Sequence, residues 1–222
     1  MSGVEAADVR ITLEVAGLAT IFCVAFGIPV AWALARYQFP GRPFVEALVT
    51  LPLVLPPTVV GYYMLRALGR STSFGRFLED DLGLQLIFTW QGAAIAAAIL
   101  ASPLLIRTAQ AAFEQVDPEL ERVAATLGRS RLEIFWGITL PLAIRGVGAG
   151  IALAFARAAG EFGATVMVAG NIPGETRTMP LAVYDAVQAG DLEKANATAL
   201  VLIGISLASL TLFSWATLLV RR

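Results

Sequence analysis

The most prominent chemical groups in this chain are two opposite charges inside an apolar stretch. Arg157 and Glu161 interrupt the otherwise uncharged residues 146–173, and their spacing of four predicts that they share a helix face. Charged groups in such surroundings either mark a polar pathway or form an internal ion pair. In the first interpretation, Arg157 gives positive potential to an anion path and Glu161 limits how tightly the anion binds. In the second, which we favour, the pair fixes helix packing.

Several other kinds of chemistry are excluded by composition. The chain has no histidine, which removes Ser-His-Asp catalysis and histidine metal ligation. Its single cysteine, Cys23, cannot form an intrachain disulfide. No GxxxxGK[ST] phosphate-binding segment occurs, so we expect no ATPase site, cofactor or metal in this chain. The net charge of -1 gives no reason to expect nucleic-acid binding.

The elements that carry these groups are predicted to lie in a membrane. Hydrophobic residues make up 57% and charged residues 15% of the 222 positions, whereas soluble domains carry about 25% charged residues. About 20 apolar residues are needed to cross a bilayer as a helix. Four runs without Asp, Glu, Lys or Arg approach or exceed that length, and a fifth is interrupted only by Arg157 and Glu161. In chain order the five runs are 15–35, 47–65, 82–106, 146–173 and 195–220.

These runs predict an all-α fold, a polytopic bundle of about five transmembrane helices in one domain covering residues 1–222. A cleaved signal peptide is not expected, since residues 1–10 carry two acids and one base, and the first apolar run is long. Arginines are more frequent on one side, which predicts an outside N-terminus, a cytoplasmic C-terminus and a cytoplasmic loop over 107–145. The arginines assigned to the cytoplasm are Arg36, Arg42, Arg107, Arg122, Arg129, Arg131, Arg145, Arg221 and Arg222.

Prolines interrupt two of the predicted spans. Pro29 lies in the first, and Pro52, Pro56 and Pro57 lie in the second. A proline inside a helix removes a backbone hydrogen bond and kinks the helix. Either a pathway-lining helix or an ordinary packing kink accounts for this pattern, and the residues do not separate the two.

The cytoplasmic loop is predicted to contain two helices joined at a glycine. Asp117 is a good N-cap, Gly128 is suited to a positive φ after the first helix, and Ser130 with Glu133 forms a capping box. Pro141 marks the end of the second helix or a sharp bend. On residue chemistry alone, this pair is equally a docking element for a partner and an interfacial pair lying on anionic lipid. One apolar face of the first helix consists of Leu120, Val123, Ala124 and Leu127.

The end of this loop resembles the EAA loop of ABC-importer permeases, E-A-A-x3-G-x9-I-x-L-P. Gly128 and the segment Ile138-Thr139-Leu140-Pro141 match, and so does Ala124. Arg122 stands where the family has its glutamate, and Glu121 is a nearby acid out of register. Four further segments are similar to the molybdate/tungstate permease family, with sulfate permeases the nearest related group. They are residues 36–42, 51–57, 160–165 and 170–182.

The resemblance implies a type I ABC-importer permease that works as a homodimer in the inner (plasma) membrane. It implies a cytoplasmic ABC ATPase dimer that binds ATP and Mg, and a periplasmic or extracellular oxyanion-binding protein. The outer segments 170–191 and 68–81 are the candidate docking loops for that protein. The candidate ATPase-coupling residues are Glu121, Arg122, Ala124, Gly128, Arg129, Ser130, Arg131, Leu140 and Pro141. The candidate pathway or gate residues are Pro56, Pro57, Arg157 and Glu161.

Four alternatives are kept open. The first is a sulfate/thiosulfate ABC permease. The second is a channel or secondary transporter, although five spans do not divide into the equal repeats frequent in such transporters. The third is an intramembrane enzyme, for which Glu161 is the only acid at membrane depth. The fourth is a scaffold that binds a cytoplasmic partner without transport.

Overall fold

A computed structural model describes residues 4–219, and it consists of helices and turns with no strand in that range. Val220, which closes the last predicted span, and Arg221 and Arg222 lie outside the described residues. The helices are α1 (Ala6–Arg36), α2 (Arg42–Val54), α3 (Pro57–Leu68), α4 (Ser73–Arg76, continued by a π-helical turn at Phe77–Asp81), α5 (Trp90–Glu114), α6 (Pro118–Thr126), α7 (Arg131–Ala159), α8 (Gly163–Ala169), α9 (Met179–Gln188) and α10 (Leu192–Leu219).

Four helices are long and apolar enough to cross a membrane, and the bent pair α2–α3 brings the number to as many as five. The prediction of an all-α bundle of about five spans is therefore confirmed. The centre of the bundle is α5, whose most apolar stretch is 67% buried, against 11% for α10. Its buried surface is built mainly from alanines, with Leu100, Leu105 and Phe113 as the larger side chains.

Small residues let α5 and α7 approach closely. A Cβ added to Gly146 would lie 2.3 Å from the Ala112 Cβ, and one added to Gly150 would lie 3.2 Å from the Leu105 carbonyl oxygen. Hydrocarbon provides no hydrophobic drive for helix association, so close backbone packing of this kind is a main source of cohesion in membrane bundles.

Two of the prolines inside continuous helices, Pro29 and Pro141, follow a π-helical turn. A π-helical turn at Cys23–Gly27 precedes Pro29 in α1, and another at Phe135–Thr139 precedes Pro141 in α7. The wider turn lies where the proline ring would otherwise press against the preceding carbonyl groups. The prediction that Pro141 ends its helix or bends it sharply is therefore wrong, because α7 runs from Arg131 to Ala159 without interruption.

The second predicted span is broken. Helices α2 and α3 meet at Leu55 and Pro56 with an angle of 107° between them. Helix α3 then packs on α8 through glycines. A Cβ on Gly61 would lie 2.9 Å from the Ala164 Cα, and a Cβ on Gly163 would lie 3.1 Å from the Pro57 Cβ.

Two predicted span boundaries need correction. Helix α5 begins at Trp90, not near residue 82, because Gly83 and Phe88 both have positive φ and the Thr89 hydroxyl accepts a hydrogen bond from the Gly92 N–H. The fourth predicted span, 146–173, is divided between the end of α7 and the short helix α8. Runs without charged residues therefore locate the apolar segments but not the ends of the helices. The helix ends depend on backbone conformation and capping.

The segment after α8 is held against the start of α1. Arg177 donates from Nε to the Asp8 carboxylate at 3.0 Å and from Nη2 to Glu5 at 2.5 Å, while Lys194 donates to the other Glu5 oxygen at 3.0 Å. Hydrogen bonds from Lys194 and Arg177 lower the pKa of Glu5. The predicted turn followed by a short helix is present as the Gly174 turn and α9.

The close packing of α3 on α8 gives a stability prediction. Gly61→Ala would place a methyl group 2.7 Å from the Met167 Cβ, and overpacking of this kind costs about 1–3 kcal/mol. Gly17→Ala, a helical glycine with nothing within 4 Å, is the matched control. Thermal unfolding of the detergent-purified proteins should show a lower midpoint for Gly61→Ala alone. Equal midpoints for both variants would contradict the packing described here.

Candidate coupling segment and pathway breaks

Helix α6 has both ends fixed by local hydrogen bonds. The Asp117 side chain accepts from the Glu119 N–H at 2.9 Å, and Pro118 occupies the first turn, where its missing N–H costs nothing. At the other end, Gly128 adopts φ +83°. The Arg129 N–H reaches the Ala124 carbonyl at 3.2 Å, and the Gly128 N–H reaches Ala125 at 3.1 Å. These two bonds form a Schellman motif, as the glycine position predicts.

The helix after the corner begins with the predicted capping box. The Ser130 N–H donates to a Glu133 carboxylate oxygen at 2.7 Å, and the Glu133 N–H donates to the Ser130 hydroxyl at 3.3 Å. This helix is not a second short one, because it is the first turn of the 29-residue α7. The capped corner is therefore connected rigidly to a membrane span.

The apolar face of α6 points mainly away from the protein. Of its four members only Ala124 is buried, while Leu120 and Val123 are about half exposed and Leu127 is 79% exposed. Leu132 and Trp136 on the neighbouring turns of α7 are also exposed. The segment thus presents an apolar surface outward, as a docking element does.

The polar side of α6 points inward through Glu121. One oxygen of its carboxylate accepts from Arg36 Nε at 3.0 Å, from Arg36 Nη2 at 2.8 Å and from the Thr139 hydroxyl at 2.6 Å. Arg36 ends α1, and Thr139 lies in the π turn of α7. The out-of-register acid is therefore the one that joins α6 to the spans.

The remaining coupling candidates lie around this junction. Arg122, at the position of the family's glutamate, is exposed and pairs with Glu119 on its own helix. Arg129 is exposed and, with Ala124, lines a cavity of about 280 Å³ between α6 and α7. Arg131 donates to the Tyr37 hydroxyl at 3.2 Å. Leu140 packs against the main core, while Pro141 is exposed.

Arg157 and Glu161 form the predicted ion pair, but not on one helix. Helix α7 ends at Ala159, so Glu161 lies in the break before α8. Its Oε2 lies 2.6 Å from Arg157 Nη1, and its Oε1 accepts from the Ala164 N–H at 2.9 Å. The Glu161 side chain is 2% exposed and that of Arg157 is 30% exposed. The carboxylate therefore joins the end of α7 to the first turn of α8.

The other two pathway candidates lie beside this junction. Pro56 and Pro57 form the break between α2 and α3, and Pro57 contacts Gly163 of α8. The structure thus brings the breaks of two interrupted spans together. Pro56 is exposed at that place, so the region combines interrupted backbone with accessible surface.

Sequence reasoning missed Arg36 and Thr139. The sequence identifies Arg36 only as a topology signal and as the first residue of the family-like segment 36–42, and Thr139 only as the variable position of the I-x-L-P segment. Their contacts span 85 and 18 positions respectively. No local pattern in the sequence indicates either contact.

Comparison with known proteins identifies the family. Residues 24–222 match the family model described as "Binding-protein-dependent transport system inner membrane component". The chain belongs to this family. It is thus a multi-pass inner-membrane permease, and the resemblance of the chain to ABC-importer permeases is confirmed.

Named relatives are similar over most of this permease. The molybdenum transport system permease protein ModB of Escherichia coli K12 is 46% identical over 204 residues, covering 92% of this chain and 89% of ModB. The sulfate transport system permease protein CysT of Salmonella typhimurium is 39% identical, covering 94% and 74% respectively. The MetNI methionine ABC transporter in an inward-facing conformation shares the fold, with a TM-score of 0.76, 16% identity and coverage of 97% and 95%.

The ion pair of this permease yields a two-step mutational prediction. Arg157→Ala should destabilise the protein by about 3 kcal/mol, because it leaves the buried Glu161 carboxylate without its cation. Arg157→Ala combined with Glu161→Gln should restore both thermal stability and anion uptake, measured in detergent and in vesicles. A double variant that is stable but does not transport would contradict the packing role and assign Arg157 to the pathway.

Proposed function

We propose that this permease is the membrane-embedded half of an ATP-driven importer of molybdate or tungstate. The similarity to ModB, which extends over nine-tenths of both chains, supports this substrate class. The observation that carries the coupling role is the capped α6 corner, which projects an apolar face while Glu121 faces the bundle. Glu121 accepts hydrogen bonds from Arg36 of α1 and from Thr139 of α7, so it connects α6 to two spans. A scaffold without transport has no need for such a connection.

The subunit that binds and hydrolyses ATP for this transport is a separate protein. The sequence contains no phosphate-binding loop, so ATP and Mg are held by a cytoplasmic ATPase dimer. The exposed Leu120, Val123 and Leu127 form the surface that enters a groove on that partner. In this proposal the 107–145 loop is cytoplasmic, the N-terminus is outside, the C-terminus is inside, and the chain is a transport subunit without an ATPase site of its own.

A second copy of the chain completes the pathway. In the homodimer, the broken spans α2–α3 and α7–α8 of each copy line the route near the shared axis. Interrupted backbone is tolerated at membrane depth where protein or a water-filled cavity satisfies its polar groups. The exposed Pro56 surface fits such a lining.

A periplasmic or extracellular binding protein delivers the oxyanion to the outer face. The segment 170–191 is the better candidate contact, because Arg177 holds it against the start of α1. The loop after α3 is the second candidate, and it is ordered by ion pairs from Arg70 to Glu79 and Asp80, both at 2.8 Å.

The conformational change of the permease follows from the connections of α6 to the ATPase and to the spans. ATP binding draws the two ATPase subunits together and supplies the difference in binding free energy that any ligand-driven change requires. The docked α6 moves with its ATPase subunit, and the short connections to α5 and α7 carry the movement into the bundle. The two copies then alternate between inward- and outward-facing states.

Sulfate or thiosulfate is the second candidate substrate, since CysT is 39% identical to this chain. Uptake by the reconstituted permease, ATPase and binding protein should be measured with molybdate, tungstate and sulfate in parallel. We expect ATP-dependent uptake of molybdate and tungstate that excess sulfate does not inhibit. Preferential sulfate uptake would replace the substrate, and uptake without nucleotide would overturn the proposed function.

The glycine corner provides a direct test of coupling. Gly128→Val should strain the backbone by about 1–3 kcal/mol, because φ is +83° and a β-branched residue disfavours this conformation. No atom beyond Gly128 and its two chain neighbours lies within 4 Å of the added Cβ position, so the effect is one of backbone geometry. We expect ATP hydrolysis to continue while molybdate uptake falls.

Gly128→Asn is the matched control for that variant, because asparagine tolerates the left-handed conformation. It should retain most of the uptake. Unchanged uptake per ATP hydrolysed in Gly128→Val would show that the corner angle does not matter for coupling.

A further inference from the structure

Helix α6 has few side-chain attachments to the rest of the protein. Among the described residues, Ala124 is its only buried side chain. The other polar side chains of α6 bond within the coupling segment: Arg122 pairs with Glu119, and the Thr126 hydroxyl donates to the Val123 carbonyl. Glu121 is thus the member of α6 whose side chain hydrogen-bonds to another helix.

The contact between Glu121 and Arg36 consists of two hydrogen bonds and has little access to water. Arg36 presents two donors to one carboxylate oxygen, and its Nη2 also donates to the Val116 carbonyl at 3.2 Å, directly before α6. The Arg36 and Glu121 side chains are only 12% and 19% exposed. Charge-assisted hydrogen bonds with limited access to water are stronger than surface ion pairs.

An aromatic cluster holds Arg36 in position. Trp32, one turn before Arg36, lies edge-to-face with Phe135 of α7 at a centroid distance of 5.5 Å and with Tyr37 at 5.7 Å. The Tyr37 hydroxyl accepts from Arg131. The end of α1 is therefore fixed against the first turns of α7, beside α6.

We propose that Arg36 is a positioning residue that makes α1 follow the coupling helix. The chain connects α6 covalently to α5 and α7, whereas among the side-chain hydrogen bonds of residues 4–219 it is the Arg36–Glu121 contact that joins α1 to α6. When an ATPase subunit displaces α6, this contact transmits the displacement to the cytoplasmic end of the first span. This inference rests on the proposed import function and assigns the residue that carries its movement to α1.

The first test is Arg36→Ala in the reconstituted complex. The ATPase still docks, because the outward face of α6 is unchanged, and basal ATP hydrolysis stays near the wild-type rate. Molybdate uptake per ATP falls by about tenfold, which corresponds to the loss of a charge-assisted hydrogen bond from the transmission path. Arg42→Ala is the matched control, since Arg42 pairs with Glu46 of α2 at 2.8 Å and with Glu114 of α5 at 3.3 Å, and within the described residues it forms no hydrogen bond or ion pair with α6. It keeps wild-type coupling.

A double-mutant cycle separates this role from general stability. Arg36→Glu and Glu121→Arg each lower uptake per ATP, and their combination restores a substantial part of it. Strictly additive losses, or an Arg36→Ala complex that couples like the wild type, would overturn the proposal. If Arg36→Ala does not assemble, Arg36→Lys retains the charge but loses the two-donor geometry, and it gives an intermediate loss of coupling.

A second measurement needs neither ATPase nor anion. Amide hydrogen exchange over residues 118–126 in the detergent-purified permease becomes faster in Arg36→Ala and not in Arg42→Ala. Equal exchange in both would refute the attachment even if the import function holds. Conversely, absence of oxyanion uptake by the wild-type complex counts against the proposed function and leaves the exchange result to decide on the contact.

Discussion

A bilayer offers no hydrogen-bonding partner to an exposed peptide group, and this constraint determines where the helices of the permease continue and where they break. Before Pro29 and Pro141, a π turn widens the helix, and the helix goes on. At the junction of α7 and α8 the helix does stop, and the Glu161 carboxylate receives the Ala164 N–H there. The same carboxylate is neutralised by Arg157, so one side chain satisfies both a backbone group and a charge.

Close packing of small residues holds these interrupted helices together. In hydrocarbon, helices gain little from burying apolar surface against each other, so cohesion comes from contact between backbones. Gly146 and Gly150 allow α7 to lie directly on α5, and Gly61 and Gly163 do the same for α3 and α8. Around α6 the connection between helices is instead polar, since Glu121 is bound by Arg36 and Thr139.

Features governed by neighbours in sequence could be predicted from the sequence. The positive φ of Gly128 and the Ser130–Glu133 capping box depend on a few adjacent residues, and both are present as predicted. The start of α5 and the continuity of α7 through Pro141 were not predicted, because each depends on a compensating local conformation that charge-free runs do not indicate. The Arg36–Glu121 contact depends on the tertiary fold and could not be found in any window of sequence.

The orientation of α6 unites these observations. An amphipathic helix on a soluble protein usually turns its apolar side inward, whereas α6 turns inward the carboxylate of Glu121 and leaves Leu127 exposed. An apolar contact between α6 and its own bundle would compete with a partner for the same surface. A directional polar contact instead leaves that surface free and resists displacement in defined directions. The exposed apolar face and the inward ion pair are therefore two parts of one arrangement, in which one side of α6 is open to a partner and the other is bound to α1 and α7.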